Sequence, residues 1–573
     1  MINRLFGIIK SIVRTEKIKN DSKNLEENFY FGEFRADCTS FLNTDEMGKI
    51  KADAERVLKG EYQIYNFPPH KKLIWNQDPV SGMCVKKALN ISLMRTSALY
   101  NSADIKNIWE QAHLHPIVTL AQCYTITKDE KYAKKIIEIL LDFAVKNPCG
   151  GSVAWKCHMD SSIRLANIVQ AISQISDTVY FKASELDLHK IIFEHVFFIS
   201  SDYENKGDFP NNHYLSNLVG VIWGAVYLYK NYRSNRAFSC LQDAMSRLKS
   251  EALRQICPDG FDYEFSTYYH CFVSELISET QNLLVLNNIN VPIELNYAMK
   301  KMIDICDVLG AFEGRLPLIG DQDGSRLFLL KGCFDISRCD FSVLSRFVNW
   351  NKKEKRKFGG IYVLNQDDIK VFFKCGDIGT SGKGTHDHND QLSICVFING
   401  KEIICDSGTF CYTNNFEKRK KFRSVRAHST VYFNGTEQND ISNIFTIQSN
   451  YHGRILQSDL NSIQGEFVYC DGTKHIRSIS IENEGLMIKD VAEGGISRLV
   501  LPISYKMIER INDYQISFTV DSIKVTITSG EKIEIQKAMV SKAYGIETEA
   551  IYLDSKCFGT HVYNITKEYR YDL

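Results

Sequence analysis

The sequence predicts an α+β multidomain protein, an N-terminal domain of paired helices, closed as an (α/α) toroid or open as an α-solenoid, followed by a C-terminal antiparallel β-sandwich. Three observations predict it. Apolar residues recur at helical spacing up to about residue 350. The helical segments fall into pairs that repeat with a nearly constant period. From Phe358 onward the apolar period drops to two, with Gly, Asn and Asp between the runs. These changes divide the chain into an N-terminal extension (1–50), a helical domain (51–350) and a strand domain (351–573).

In the helical part, Tyr132, Ile136, Ile139, Leu140 and Phe143 form one apolar face, and Asn147-Pro148 ends that helix. Other periodic segments begin near Asp104, His158, Asn212 and Thr267, at spacings of 54, 54 and 55 residues (158−104, 212−158, 267−212). Further helices fall between them, around 131–146, 190–203 and 237–256. Two helices per unit imply stacked hairpins. Closed into a ring these make a toroid; left open, they make an α-solenoid. In a ring the inner helix starts share one rim, which gathers Trp155, Asn212, His213, Tyr268, Tyr269 and His270. Helix N-termini offer free N–H groups there, which suits an anionic ligand. Each of these residues also has a plain structural role open to it. Asn211-Asn212 caps a helix well, and tyrosines at a helix start usually pack with a bonded hydroxyl.

Asn351–Lys357 reads as a charged linker. Strands are expected at Ile369–Lys374, Leu392–Ile398, Ile403–Cys405, Thr430–Phe433, Ile476–Ile481, Leu499–Ile503 and Ile516–Thr526. Asn399-Gly400 between two apolar runs signals a hairpin. That hairpin carries His386-Asp-His388 and Asp406 towards each other. His428 follows some twenty residues later, so two or three imidazoles and a carboxylate converge as a plausible divalent-metal site. A two-residue turn pairs Asp406 with Ser393, so His388 is expected in a loop or bulge before the strand. Lys418, Arg419, Lys420, Lys421, Arg423 and Arg426 crowd one short segment, either a solvated loop or a patch for carboxylates or sulfates. Gly379–Gly384 lacks the pattern of a phosphate loop.

Composition narrows the function. The 69 basic and 69 acidic side chains cancel, so an anionic substrate must meet a local patch. No nucleic-acid recognition motif is present, and no partner of that kind is expected. The first apolar run is too short for a signal-peptide core, and no stretch is long enough to span a membrane, so the expected location is cytoplasmic. The 17 cysteines are scattered without a C-x-x-C, which favours a reducing compartment. Oligomeric state stays open, a homodimer included.

Five blocks together resemble the heparinase II/III-like polysaccharide lyases, which include oligoalginate lyases. They are Asp104–Tyr124 with Ile108-Trp109-Glu110; Asn147-Pro148, Trp155, Met159-Asp160 and Arg164; Asn211-Asn212-His213-Tyr214; Asp259-Gly260, Glu264, Ser266 and Tyr269-His270; and His386-Asp-His388, Asp406-Ser-Gly408, Phe422-Arg423-Ser424 and His428. The resemblance implies a toroid followed by a β-sandwich. It also implies β-elimination on an anionic, uronate-containing polysaccharide or oligosaccharide. Asn212, with His213, would hold the uronate carboxylate; Tyr269 would act as base, acid or both; His386 would be the second acid/base group. Trp155, Arg423 and Arg426 would bind substrate. His388, Asp406 and His428 would hold a structural Zn²⁺. The chain departs from the family pattern at Gln111-Ala112-His113, where relatives usually carry Arg, and at Asp160, where they carry Glu. A glycoside hydrolase using Glu264 and Asp259, and a glycan-binding protein without activity, are the alternatives.

Overall fold

The computed structural model describes residues 2–25, 33–85, 90–94, 102–348, 355–482 and 485–569; residues 351–354 of the expected linker lie outside the described residues. The helices are α1 (Ile2–Lys23), α2 (Thr44–Leu58), α3 (Ile105–Ala112), α4 (His115–Thr127), α5 (Glu130–Lys146), α6 (His158–Gln174), α7 (Val179–Ser200), α8 (Asn212–Tyr232), α9 (Asn235–Gln255), α10 (Thr267–Leu286) and α11 (Ile293–Val308). Their starts follow from local chemistry. The side chains of Asp104, Asn211 and Ser266 cap α3, α8 and α10 by accepting from Lys106, His213 and Tyr269 backbone N–H groups. Helices α4, α6, α8 and α10 pack in succession as an inner layer, and α5, α7, α9 and α11 as an outer one. Nearly every residue of α6 and of the first four turns of α8 and α10 is buried, as expected for helices enclosed on all sides. Gly220 makes the α6–α8 approach possible, since a Cβ there would lie 2.5 Å from Ser162 Cβ.

One departure concerns the first unit, where a single inner helix was expected. The structure breaks it into α3 and α4 at Leu114, which is left-handed (φ 65°), with Pro116 in the first turn of α4. Proline has no N–H to continue the preceding ladder, so the chain restarts there.

The strand domain has two sheets. The first is β1 (Lys357–Phe358), β2 (Ile361–Gln366), β3 (Ile369–Lys374), β4 (Ile394–Ile398) and β5 (Lys401–Ile404), paired in that order. The second holds β6 (Val431–Tyr432), β7 (Arg454–Ser458), β8 (Ser462–Val468), β9 (Lys474–Glu482), β10 (Gly485–Leu501), β11 (Glu509–Asn512), β12 (Gln515–Val520), β13 (Ile523–Ser529), β14 (Glu534–Ala543) and β15 (Ile546–Tyr569). The run expected as one strand at Ile516–Thr526 is a hairpin instead, because Asp521 turns left-handed (φ 52°) between β12 and β13.

The small sheet is buried on both faces. Val371, Phe373, Ile394 and Val396 pack against the large sheet, while Phe372, Cys395 and Phe397 pack into the toroid core. This explains why β3 and β4 read as unbroken apolar runs rather than alternating ones. The protein is therefore layered as toroid, small sheet, large sheet, with irregular loops filling the toroid–sheet seam. Among the described residues no helix is long and apolar enough to cross a membrane.

Candidate active site

The seam brings together the side chains that the helical period and the hairpin predict separately. Asn212 opens α8 and is fully buried. Its Nδ2 donates to Glu264 Oε1 at 2.9 Å and Oε2 at 3.2 Å, and approaches His386 Nε2 at 3.5 Å. Asn212 Oδ1 is buried without a hydrogen-bond partner. The His386 ring stacks on Tyr269 with centroids 3.7 Å apart. An amide from α8, a phenol from α10 and an imidazole from the strand domain thus share one place.

Two buried carboxylates organise it, and neither was identified from the sequence. Asp321 accepts from His386 Nδ1 at 3.1 Å, His388 Nε2 at 2.9 Å, Thr409 Oγ1 at 3.1 Å and Arg419 Nη2 at 2.7 Å. Burial alone would raise its pKa; Arg419 above all, with the two imidazoles, holds it well below the usual carboxylate range. Asp323 pairs with Lys106 Nζ at 2.5 Å and accepts from the Ser325 backbone at 2.9 Å. Both lie in Gly320-Asp-Gln-Asp-Gly324, an aperiodic stretch between apolar runs. A Gly- and Asp-rich break of this kind is the signal that marks it. Gly320 is left-handed (φ 76°), and a Cβ there would lie 2.8 Å from the His386 carbonyl oxygen.

Tyr412 is a third unpredicted member. Its hydroxyl lies 3.1 Å from that of Tyr269, and the Arg419 guanidinium sits 4.8 Å from its ring centroid. Burial, reinforced by Asp323, pushes the Tyr269 phenol well above its ordinary pKa. Tyr269 is therefore protonated at neutral pH, which suits a proton donor.

His213, next to Asn212, faces elsewhere. Its Nδ1 lies 3.4 Å from Glu204 Oε1, and its side chain is 38% exposed. Burial lowers its pKa, but the Glu204 carboxylate outweighs this and raises it.

The three residues expected to bind substrate are not at this cluster. Trp155 is 2% exposed, donates to the Asn147 carbonyl and packs on His195 and Phe198, so no sugar ring can reach its face. Arg423 is 1% exposed and donates to the Asn443 and Asp387 carbonyls. Arg426 is exposed but bonds Asn434 and lies over Tyr432. From the basic segment it is Arg419, 1% exposed, that reaches the cluster. Tyr268 and His270, also expected at the rim, bond the Ser325 and Met302 carbonyls in the core.

His388, Asp406 and His428 each present one ligand atom within 4.8 Å of the others, all buried. The β4–β5 hairpin turns at Asn399 (φ 47°) and Gly400 (φ 70°). A register shift then sets Val396 opposite Ile404, one residue off the register that pairs Asp406 with Ser393, so that expected pairing does not form. His388 lies in the loop before β4, as expected. Asp321 engages His388 Nε2, which leaves Nδ1 buried without a hydrogen-bond partner. Burial lowers the His388 pKa to about 4, so the ring is neutral, the form that binds metal. His428 Nδ1 lies 2.9 Å from Asp406 Oδ2, and its Nε2 has no partner. This donor set, braced by Asp321, fits a divalent metal.

The hydrolase alternative needs two opposed carboxylates. Of the two named for it, Asp259 has its oxygens engaged by the Phe261 and Gly359 backbone N–H groups at 2.9 and 3.0 Å.

Known proteins agree with this architecture. The family profile described as Heparinase II/III N-terminus matches residues 42–325, and that described as Heparinase II/III-like, C-terminal, matches residues 354–554. A heparin-sulfate lyase of Pedobacter heparinus is 20% identical over 443 residues; the match covers 70% of this chain and 62% of that protein, just under two thirds of its length. Among solved structures, a heparinase III superposes with a TM-score of 0.68 at 13% identity, covering 97% of this chain and 90% of that one. A heparan sulfate lyase from Pedobacter heparinus gives 0.54 at 17% identity, covering 98% and 88%. At such identities the structural likeness speaks for the fold: a toroid joined to a β domain. The two family profiles together account for most of the sequence, and the chain belongs to the heparinase II/III-like family.

Proposed function

We propose that this protein is a polysaccharide lyase that cleaves a uronate-containing glycan, of the glycosaminoglycan type, by β-elimination. The observation that carries the reading is the meeting of Asn212, Tyr269 and His386 in one buried place. The relatives named above as heparin and heparan sulfate lyases support the same class. In the reaction the C5–H bond breaks, its electrons form the C4=C5 double bond, the C4–O4 bond breaks, and O4 takes a proton. The C5 proton is weakly acidic until the adjacent carboxylate is neutralised or hydrogen-bonded. Asn212 is the donor for that carboxylate; His213, expected to help it, is turned to Glu204 instead.

His386 is the base. Its Nδ1–H is committed to Asp321, which leaves Nε2 to accept the proton. The imidazolium so formed lies between Asp321 and Glu264, whose Oε2 is 3.3 Å from Nε2. Tyr269, held protonated, gives its proton to O4 and can recover one through Tyr412. Base and acid are stacked rings and approach the sugar from one face. That arrangement suits substrates whose C5 hydrogen and O4 lie on the same side, as in glucuronate.

His388, Asp406 and His428 would hold Zn²⁺. When bound, the ion would supply a rigid crosslink between the His386 loop and the neighbouring segments, a structural role. Incubation with heparosan, chondroitin, dermatan, hyaluronan and alginate, followed by ultraviolet absorbance of unsaturated uronate, tests the reading. We expect a rise with a glucuronate polymer. No rise with any of them, or new reducing ends without a rise, refutes it.

A further inference from the structure

A second cluster of metal-type ligands lies at the toroid rim, outside the chemistry described above. Cys157 precedes α6, Glu204 lies in the loop between α7 and α8, and His213 is in the first turn of α8. Cys157 Sγ is 3.7 Å from Glu204 Oε1 and 3.8 Å from His213 Nδ1, and these last two atoms are 3.4 Å apart. Tetrahedral zinc, with bonds of about 2.0–2.3 Å, sets its ligand atoms about 3.3–3.7 Å apart. Two edges of the triangle fall within that spacing, and the third, Cys157 Sγ to His213 Nδ1, exceeds it by about 0.1 Å.

The surroundings hold the triangle in place. Glu204 Oε2 accepts from Met159 N at 2.8 Å and Asn217 Nδ2 at 3.1 Å, and Asn217 Oδ1 accepts from Glu204 N at 2.8 Å. The carboxylate is thereby fixed with Oε1 turned to the thiol and the imidazole, the usual bracing of a ligand by outer partners. Asp160, 1% exposed, lies beside the Cys157 thiol; burial, reinforced by Asp160, pushes that thiol well above its ordinary pKa, so a metal must displace the proton. An ion pair between Glu204 and His213 does not require a sulfur atom at equal reach of both partners. The Glu204 and His213 side chains are 28% and 38% exposed, which leaves an entry path from solvent.

We propose that Cys157, Glu204 and His213 form a second site for a thiophilic divalent metal such as Zn²⁺, and that occupancy switches the enzyme off through the first turn of α8, which carries Asn212. Thiolate, imidazole and carboxylate are the donor types such ions select. Binding releases the thiol proton to solvent, and any proton on His213 Nδ1 with it. His213 is then tied to the metal, which fixes the start of α8 where Asn212 must meet the substrate carboxylate. The inhibitory consequence rests on the lyase reading; the site itself does not.

Cobalt(II) titration of the purified full-length protein tests the site. A thiolate bound to Co²⁺ gives a charge-transfer band in the near ultraviolet, and the His388, Asp406 and His428 set contains no sulfur and stays silent there. We expect the band in the wild type and in His388→Ala, and its loss in Cys157→Ser. Glu204→Gln is the second variant and weakens the band. No band in the wild type, or an unchanged band in Cys157→Ser, overturns the proposal. In parallel, excess Zn²⁺ inhibits wild-type uronate cleavage reversibly, while Cys157→Ser keeps its basal rate and needs at least tenfold more Zn²⁺. A band without inhibition overturns the regulatory half. A band in a protein that cleaves no uronate polymer upholds the site and removes the lyase reading instead.

Discussion

Replacing Asp321 by Asn tests the organisation of the site most directly. The wild-type carboxylate is fully buried and serves four donors, among them the guanidinium of Arg419, itself 1% exposed. Asparagine keeps the shape and removes the charge. Arg419 is then a buried cation without its counter-charge, and breaking such a pair costs about 3–5 kcal/mol. The second effect is on His386. An asparagine amide can donate to Nδ1, which favours the tautomer with the proton on Nε2 and blocks proton abstraction. Loss of a positioned acid or base lowers turnover by about 10²–10⁴-fold. Urea unfolding and initial rates on the best uronate substrate read the two effects separately. The double variant Asp321→Leu/Arg419→Met removes both charges, so it should regain part of the stability and none of the rate. An Asp321→Asn enzyme with stability within about 1 kcal/mol of wild type, or with unimpaired turnover, would refute the reasoning.

Four further outcomes are expected. Tyr269→Phe removes one hydroxyl bonded to Tyr412, so stability changes by about 1 kcal/mol while turnover falls about 10²–10⁴-fold; matched thermal melts and rates check this. Arg419→Ala abolishes activity whereas Arg426→Ala, an exposed site bonded to Asn434, leaves it within about twofold, since surface changes are mostly small. Gly408→Ala brings a Cβ to 2.0 Å from the Ser541 carbonyl oxygen at φ 70°; the strain alone costs about 1–3 kcal/mol, visible as a lower urea midpoint. Asp490 has its pKa held far below normal by Arg477 and His475, which outweigh the cost of burial. Its folded pKa is depressed, so its stabilisation is full above about pH 4 and is lost as pH falls further. The stability gap between wild type and Asp490→Asn should therefore narrow below about pH 4 in urea titrations, and a gap independent of pH would count against it.

Helix starts were legible because capping is local. Asp104, Asn211 and Ser266 carry the oxygen that satisfies a nearby backbone N–H, so residue type and position suffice. The Asn399-Gly400 hairpin was legible for the same reason, since its two positive φ angles are written in two residue types. Side-chain burial was not. Trp155 and Arg423 have the chemistry of glycan-binding residues, yet their neighbours come from elsewhere in the chain and cover them. Arg164 shows the same effect, a guanidinium fully buried between Trp155 and Phe143 and bonded to His195.

By itself the sequence determined the two periodicities, the order of helical and strand domains, and the short-range pairs of donors around His386, His388 and Asp406. Only the tertiary structure decided which charges share a buried space. Asp321 sits 65 residues from His386 and 98 from Arg419, and Tyr269 sits 143 from Tyr412. The Coulomb energy that locks such groups depends on distance and local dielectric, and both are set by folding. Spacing along the chain carries neither.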